Sequence, residues 1–399
     1  MNIWQEISIN NLKFNLKSIR SFVNNNAKIL AVVKANAYGH NYKIISSALE
    51  QEGVSYFGVA SVDEGIQLRE HGIKANILVL GGVLEEEFIN ITKYELIPTI
   101  SCLKFAEKLE NFLQLQSVIN KQHSKSEYSL NQNKEEHSIS SQTVLENSPI
   151  KIHIKIDTGM GRYGVCYEKA EELIRYVLRQ KFLKVDGIYT HLSSAEEDGV
   201  FTRKQMEKIY NIIEVFSKEQ IEFSNVHILN TAGIINNYYD NKSNMIRLGV
   251  LLYGIYSTLD KREKIEIKPV MQWKTKIVFL KDVEKDSTIS YGGSFITKKA
   301  MRIAIIPVGY SQGLDRALSN TGEVLIKGKR VKILGKVCMD QTIIDVTDVL
   351  DVKLGDEVVL IGEQGNESIT VLDIASKLNK IPYEILCAIN ANIPKIEII

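Results

Sequence analysis

Eight short apolar runs recur between residues 29 and 252, most of them separated by stretches long enough for an amphipathic helix. The candidate strands are Ile29–Val33, Tyr56–Ala60, Asn76–Leu80, Leu96–Ile100, Ile152–Asp157, Val185–His191, Val226–Leu229 and Met245–Leu252. Candidate helices between them include Asp63–His71, Glu168–Arg179 and Arg203–Ser217. Strand and helix alternating in this way predict an α/β fold: a (β/α)8 barrel of the TIM type, or a doubly wound sheet that would read the same.

The run Lys151-Ile-His-Ile-Lys-Ile-Asp157 shows how such a strand would be oriented. Lys151, His153, Lys155 and Asp157 share one face, and the isoleucines share the other. In a barrel the isoleucines face the outer helices. Lys155 and Asp157 then point inward near the strand's C-terminal end, where catalytic groups collect.

After about Ser257 the texture changes. Met271–Leu280, Arg302–Val308, Glu323–Ile326, Val331–Cys338, Thr342–Val346 and Glu357–Ile361 are strand-like, with one helix candidate at Thr370–Leu378. The expected organisation is a barrel over 1–257 and a mostly-β domain over 258–399. Leu115–Pro149 interrupts the barrel pattern. It is rich in Ser, Asn, Gln, Glu and Lys, its apolar residues have no period, and it reads as a solvent-exposed, disordered insertion.

Composition removes several function classes. The formal net charge is +1, so no global basic field invites nucleic acid or an anionic membrane. The four cysteines, Cys102, Cys166, Cys338 and Cys387, are far apart with no CxxC pair. That argues against a zinc site or a disulfide scaffold and fits a reducing compartment. The N-terminus has no basic segment followed by an apolar core, and no run approaches a membrane span. A cytoplasmic location is expected.

Lys34 is the chemically informative residue. It ends the apolar run Lys28-Ile-Leu-Ala-Val-Val33, and a lysine there must find an anion, snorkel to water or lose its charge. Condensation with an aldehyde is one way to lose it. Val33-Lys-Ala-Asn-Ala-Tyr-Gly-His40 resembles the pyridoxal-phosphate (PLP) lysine motif of the alanine racemases. Asp157-Thr-Gly-Met-Gly-Arg-Tyr-Gly164, Tyr189-Thr-His-Leu-Ser193, Asn230-Thr231 and Arg247-Leu-Gly-Val-Leu-Leu-Tyr-Gly254 are similar to further blocks of that family, in its order. So are Ser290-Tyr-Gly-Gly293, Pro307-Val-Gly-Tyr310, Val337-Cys-Met-Asp-Gln341 and Ile381-Pro-Tyr-Glu384. The family uses the (β/α)8 barrel followed by a mostly-β domain that includes the first few residues of the chain.

The resemblance implies roles. Lys34 would bond PLP and serve as base on one face of the substrate Cα, with Tyr291 as base on the other. Tyr38, Thr231, Gly249, Val250 and Tyr383 would hold the phosphate. Gly249 suits this because a backbone without Cβ lets phosphate approach the main chain. Thr231 also reads as an ordinary helix N-cap before Ala232. Arg247 would donate to the pyridine nitrogen, and His191 would lie against the cofactor. Arg162 and the backbone N–H of Met339 would bind the substrate carboxylate. Lys155, carried as a carbamate, would orient Arg162. Tyr310, Arg316 and Asp340 look like entrance positions. No metal is implied. A homodimer with the active site shared between subunits is.

Arg247 bears on the reaction. An arginine stays protonated and cannot take a proton from the ring nitrogen, so the cofactor is a weaker electron sink and simple proton exchange is favoured. A fold-related PLP decarboxylase would present a carboxylate there. A barrel-only PLP carrier would lack the second domain. A racemase of broader specificity stays open, since one methylene or hydroxyl shifts preference only modestly. Ser311-Gln312-Gly313 and Lys336 depart from the family's usual Ala-Asp-Gly and arginine, which puts the entrance in question.

Overall fold

The computed structural model describes residues 1–23, 27–130, 148–240, 242–256 and 264–399, with the side chains of 122–130 left aside. The chain forms two compact units: Val23–Lys34 with Gly53–Leu248, and Met1–Phe22 with Ala35–Glu52 and Gly249–Ile399.

The first unit holds the barrel. Its parallel strands are Lys28–Val32, Tyr56–Val59, Asn76–Val79, Leu96–Ile100, Ile150–Asp157, Leu183–Tyr189, Asn225–His227 and Met245–Leu248. They pair in sequence order, and Met245–Leu248 pairs back onto Lys28–Val32 to close the ring. All eight expected strands are present, and closure removes the doubly wound alternative. Ile152, Ile154 and Ile156 are fully buried on the outer face of their strand, while His153 is buried among barrel-interior side chains.

Several ends differ from expectation for local reasons. The last barrel strand stops at Leu248 rather than Leu252, because Gly249 turns the chain into the short 3-10 segment Val250–Tyr253. In the other unit, Val331–Cys338 ends early, within strand Lys329–Leu334. Gly335 follows with φ 70°, where a Cβ would stand 2.5 Å from the Ser290 Cβ. Met271–Leu280 is two strands, Met271–Lys276 and Phe279–Val283.

That second unit carries a ten-stranded sheet. Its first strand is Ile3–Ser8, antiparallel to Met271–Lys276 with Ile3 opposite Thr275. Helix Val371–Leu378 is capped by Thr370, whose hydroxyl accepts from the Asp373 N–H.

Residues 115–130 correct the expectation for the insertion. They are helical, continuing helix Leu103–Leu130. The reason is propagation: Ala106, Leu109 and Leu113 bury one face, and the following sequence holds no Gly or Pro to stop the helix. Beyond Leu113 the helix leaves the core, with Leu115 64% exposed. The rest of the insertion, 131–147, lies outside the described residues. No described helix is long and apolar enough to cross a membrane.

The point of departure is testable by thermal melts. Leu109→Ala should cost about 2–5 kcal/mol. Leu115→Ala should stay within about 0.5 kcal/mol. Equal losses would mean that the exposed stretch packs against something.

Candidate active site

The site is built outward from Lys34. Strand Lys28–Val32 ends in a hydrogen bond from the Val33 N–H to the Gly58 carbonyl at 2.9 Å. The chain then does something rare. Ala35, Asn36, Ala37 and Tyr38 have φ of 52°, 53°, 54° and 51°, a left-handed turn made without glycine. Each such residue costs roughly 1–2 kcal/mol. Its persistence requires surroundings that leave no alternative.

Those surroundings are visible. Asn36 Oδ1 accepts from the Tyr42 N–H at 2.9 Å. His40 is fully buried, and its Nδ1 lies 3.1 and 2.9 Å from the Ala37 and Tyr38 carbonyls, so Nδ1 carries the proton and donates. The Tyr38 ring packs on Tyr253 and Tyr383 at 5.3 and 5.7 Å. Gly39 completes the turn, because a Cβ there would stand 2.7 Å from the Leu386 carbonyl. A Cβ on Gly249 would stand 3.2 Å from the Tyr38 hydroxyl, tighter than an ordinary contact, which favours a residue without one there. The leading N–H groups of Val250–Tyr253 have no intrahelical partner, which suits an anion.

Thr231 is not the helix cap. Asn230 caps, its Oδ1 accepting from the Gly233 N–H at 2.9 Å, and Thr231 is the first helical residue. The longer Asn side chain reaches the N–H groups first. The Thr231 hydroxyl, near-buried, has no partner among the described residues and is available to a ligand.

Arg247 is the buried charge of the barrel. Nη1 donates to the His227 carbonyl at 2.6 Å and to His227 Nδ1 at 3.0 Å. Nη2 donates to the Thr190 and Ile228 carbonyls at 2.7 and 3.0 Å and approaches His191 Nδ1 at 3.4 Å. Its cation also faces the Tyr189 ring at 5.3 Å. Burial lowers its pKa to about 10, still protonated at neutral pH. Among the described residues no carboxylate touches it, and its Nε–H meets no acceptor.

Cations crowd this end of the barrel. Burial, and then the charges of Arg247 and Arg162, lower the Lys155 pKa to about 8. Its amine lies over the Tyr163 and Tyr189 rings, each at 5.5 Å. Burial and the same cations push His191 down to about 3, so it is a neutral imidazole. Arg162 is exposed, and its N–H donates to Asp157. Asp157 accepts from the N–H groups of Gly159, Met160, Gly161 and Arg162. Burial opposes its charge, but those donors outweigh it and hold the carboxyl below the usual range.

The structure thus gathers Lys155, His191 and Arg247 in one unit, with Lys34 and Arg162 close enough for their charges to act on Lys155 and His191. It gathers Tyr38, Gly249, Val250 and Tyr383 in the other. Tyr291, Met339 and Tyr310 are 71%, 59% and 46% exposed, with Asp340 and Arg316 also at the surface. The Met339 carbonyl accepts from the Ser311 N–H at 2.8 Å, and its own N–H has no acceptor among the described residues. Sequence reasoning misses His227 and Asp186, which extend the network around Arg247. It also passes over the role of His40. His40 lies inside the lysine motif, but only its position relative to the left-handed turn gives it a purpose.

Comparison with known proteins bears on this arrangement. Residues 7–257 match the family description "Alanine racemase, N-terminal domain", and 270–397 match "Alanine racemase, C-terminal domain". The chain is 38% identical to an alanine racemase of Halothermothrix orenii over 98% of its own length and 96% of that protein. It is 39% identical to alanine racemase 1 of Caldanaerobacter subterraneus subsp. tengcongensis, over 98% and 93%. The solved alanine racemase of Clostridium difficile 630 superposes with a TM-score of 0.86 at 32% identity, covering 100% of this chain and 96% of that one. A histidine racemase from Leuconostoc mesenteroides subsp. sake gives 0.83 at 25% identity, over 100% and 98%.

The buried histidines predict a pH dependence of stability. Burial lowers the pKa of His40 to about 4 and that of His227 well below 6.5, with His153 and His191 lowered too. Below pH ~6.5 the unfolded chain binds protons that the folded chain refuses. Stability should therefore fall as pH drops from ~7 to ~5, by up to about 1.4 kcal/mol per pH unit for each histidine. The lowered carboxylates Asp157 and Asp186 act only at lower pH. A melting temperature that is flat or rises over that interval would contradict the assignment.

Proposed function

Because this chain belongs to the alanine racemase family, whose enzymes depend on pyridoxal phosphate, we propose that it interconverts L- and D-alanine by a two-base mechanism. The observation that carries the reading is Arg247: a buried, permanent cation, already holding four of its five N–H donors, with the Nε–H left over. That is the donor a pyridine nitrogen needs, and no described carboxylate competes for the position. A decarboxylase reading has no such support.

The residues fit the cofactor. Lys34 would bond it. The Tyr38 and Thr231 hydroxyls, the N–H groups of Gly249 and Val250, and Tyr383 would hold its phosphate. Arg247 would donate to its ring nitrogen, with His191 against the ring. Bound there, the cofactor would withdraw electrons from the substrate Cα and make its proton exchangeable. Everything else is done by the chain. Arg162 and the Met339 N–H hold the substrate carboxylate in a fixed orientation. The Lys34 amine takes or returns the proton at one face of Cα, and the Tyr291 hydroxyl does so at the other. Lys155, its pKa lowered to about 8 and so half free of its proton near that pH, is suited to carry carbon dioxide as a carbamate and so to orient Arg162. Tyr310 and Asp340 line the entrance.

The 71% exposure of Tyr291 in a single chain supports a homodimer in which that residue serves the partner's site. The separate matches over 7–257 and 270–397 support a domain boundary near 257/258. We place the reaction in the cytoplasm, supplying D-alanine for peptidoglycan. The likeness to a histidine racemase keeps a wider amino-acid range as the second reading, which assays across several L-amino acids would reveal.

Borohydride treatment of the loaded enzyme should fix the cofactor on Lys34, read by peptide mass spectrometry. A label on another lysine would overturn the site. Mixing inactive Lys34→Ala with inactive Tyr291→Phe should restore activity, since a mixed dimer has one site with both lesions and one with neither. No recovery despite proven subunit exchange would exclude the shared site.

Arg247→Glu tests the choice of reaction. Racemisation should slow by about tenfold or more, and pyruvate should begin to form from alanine. Normal racemisation without pyruvate would mean that Arg247 does not control the ring nitrogen.

A further inference from the structure

Arg247 is the visible end of a chain of buried polar groups that runs back through the barrel. His227 Nδ1 meets Arg247 Nη1 at 3.0 Å, and His227 Nε2 meets His153 Nδ1 at 2.8 Å. His153 Nε2 meets Asp186 Oδ2 at 3.2 Å. The same Asp186 oxygen accepts from the Tyr56 hydroxyl at 2.8 Å and from Asn225 Nδ2 at 3.0 Å. His153, His227 and Asn225 are fully buried, and Asp186 is nearly so. Tyr189 stacks on His227 with ring centroids 4.4 Å apart.

Elementary bookkeeping of donors fixes every hydrogen in this chain. Arginine can only donate, and an ionised carboxylate can only accept. A neutral imidazole must do one of each. Burial keeps both histidines neutral at ordinary pH. Starting from Arg247, His227 must present the lone pair of Nδ1 and carry its proton on Nε2. That proton points at His153 Nδ1, which must then be the acceptor, so His153 carries its proton on Nε2. The last donor requires a pure acceptor, and Asp186 is one. Any other set of tautomers puts two donors or two acceptors face to face.

The backbone is shaped for this contact. In the pairing of Ile150–Asp157 with Leu183–Tyr189, Ile152 stands opposite Val185 but His153 stands opposite Gly187. Asp186 is the extra residue, a β-bulge that aims its side chain at the barrel interior. Gly187 makes room: a Cβ there would lie 2.7 Å from His153 Cε1 and 2.8 Å from Nδ1.

We propose that Asp186 is a positioning residue for the reaction. Through His153 and His227 it holds a lone pair toward Arg247 and so fixes the guanidinium in the orientation that leaves Nε–H for the cofactor. The relay moves no proton. It sets direction, through an acceptor oxygen two imidazole rings away from the cation. The functional part rests on the role proposed above for Arg247.

The test is nitrogen NMR of histidine-labelled, cofactor-loaded enzyme, alongside alanine racemisation. In the wild type, His153 and His227 should each be protonated on Nε2 alone. A proton on Nδ1 of either ring overturns the relay whatever the variants do. Asp186→Leu, which removes the acceptor, should leave His153 in mixed tautomers and lower kcat by about tenfold or more with little change in KM. Asp186→Asn keeps an oxygen there and should retain both the tautomers and most of the activity. Gly187→Ala removes no polar group but crowds the His153 ring and the Asn225 carbonyl, and should disorder the tautomers as Asp186→Leu does; where neither variant folds, the wild-type tautomers decide the relay. Unchanged tautomers and kcat in the folded Asp186→Leu or in Gly187→Ala would refute a positioning role. Correct wild-type tautomers in a protein that racemises no amino acid would support the relay and reject the functional reading instead.

Discussion

A guanidinium buried inside a barrel is the constraint around which this molecule is organised. Arg247 cannot shed its proton at neutral pH, and an uncompensated ion in a low-dielectric interior is costly. The fold answers with carbonyl groups. Thr190, His227 and Ile228 lie at or just beyond the ends of their strands, where carbonyls are released from the ladder and can turn toward a cation. This is a physical reason for a parallel barrel to collect charged chemistry at the C-terminal ends of its strands. Burial first, and then the same cation, presses neighbouring titratable groups toward neutrality, His191 and Lys155 among them.

Much of this architecture is legible in the order of residues alone. Apolar runs of strand length, spaced by helices, mark most of the barrel strands, because burial on both faces leaves a nearly continuous hydrophobic signal, while Lys151–Asp157 is marked by its alternation instead. What escapes is information carried by backbone irregularity. A period of two cannot place Asp186, since a bulge shifts the alternation midway through Leu183–Tyr189. Thr231 reads as a cap because cap preference is a property of residue type, and only geometry shows Asn230 reaching the N–H groups first. The helix over 115–130 is hidden by its composition. A polar helix anchored at one end by Leu109 and Leu113 needs no apolar period beyond them.

The candidate site divides in the same way. Lys34, Arg247 and Gly249 are recognisable from their blocks, because each would carry in the proposed reaction a task that few residue types can perform. The histidines behind Arg247 are not, because a buried imidazole has no signature in sequence. His153 is visible as part of an inward face, but its partners stand on strands far along the chain and cannot be named from it.

The left-handed turn after Lys34 carries a consequence for the order in which the protein is made. Four residues in that conformation do not hold it alone. What locks them arrives late: Tyr253 midway along the chain, then Tyr383 against the Tyr38 ring and the Leu386 carbonyl against Gly39. A ribosome-bound chain can have emitted every barrel strand and still lack the pieces that clamp the turn after Lys34. That turn is among the earliest segments synthesised and among the last to be set. The geometry of that turn is thereby tied to synthesis of residues 383–386, and a chain that had closed the barrel but lacked them would have nothing to hold it.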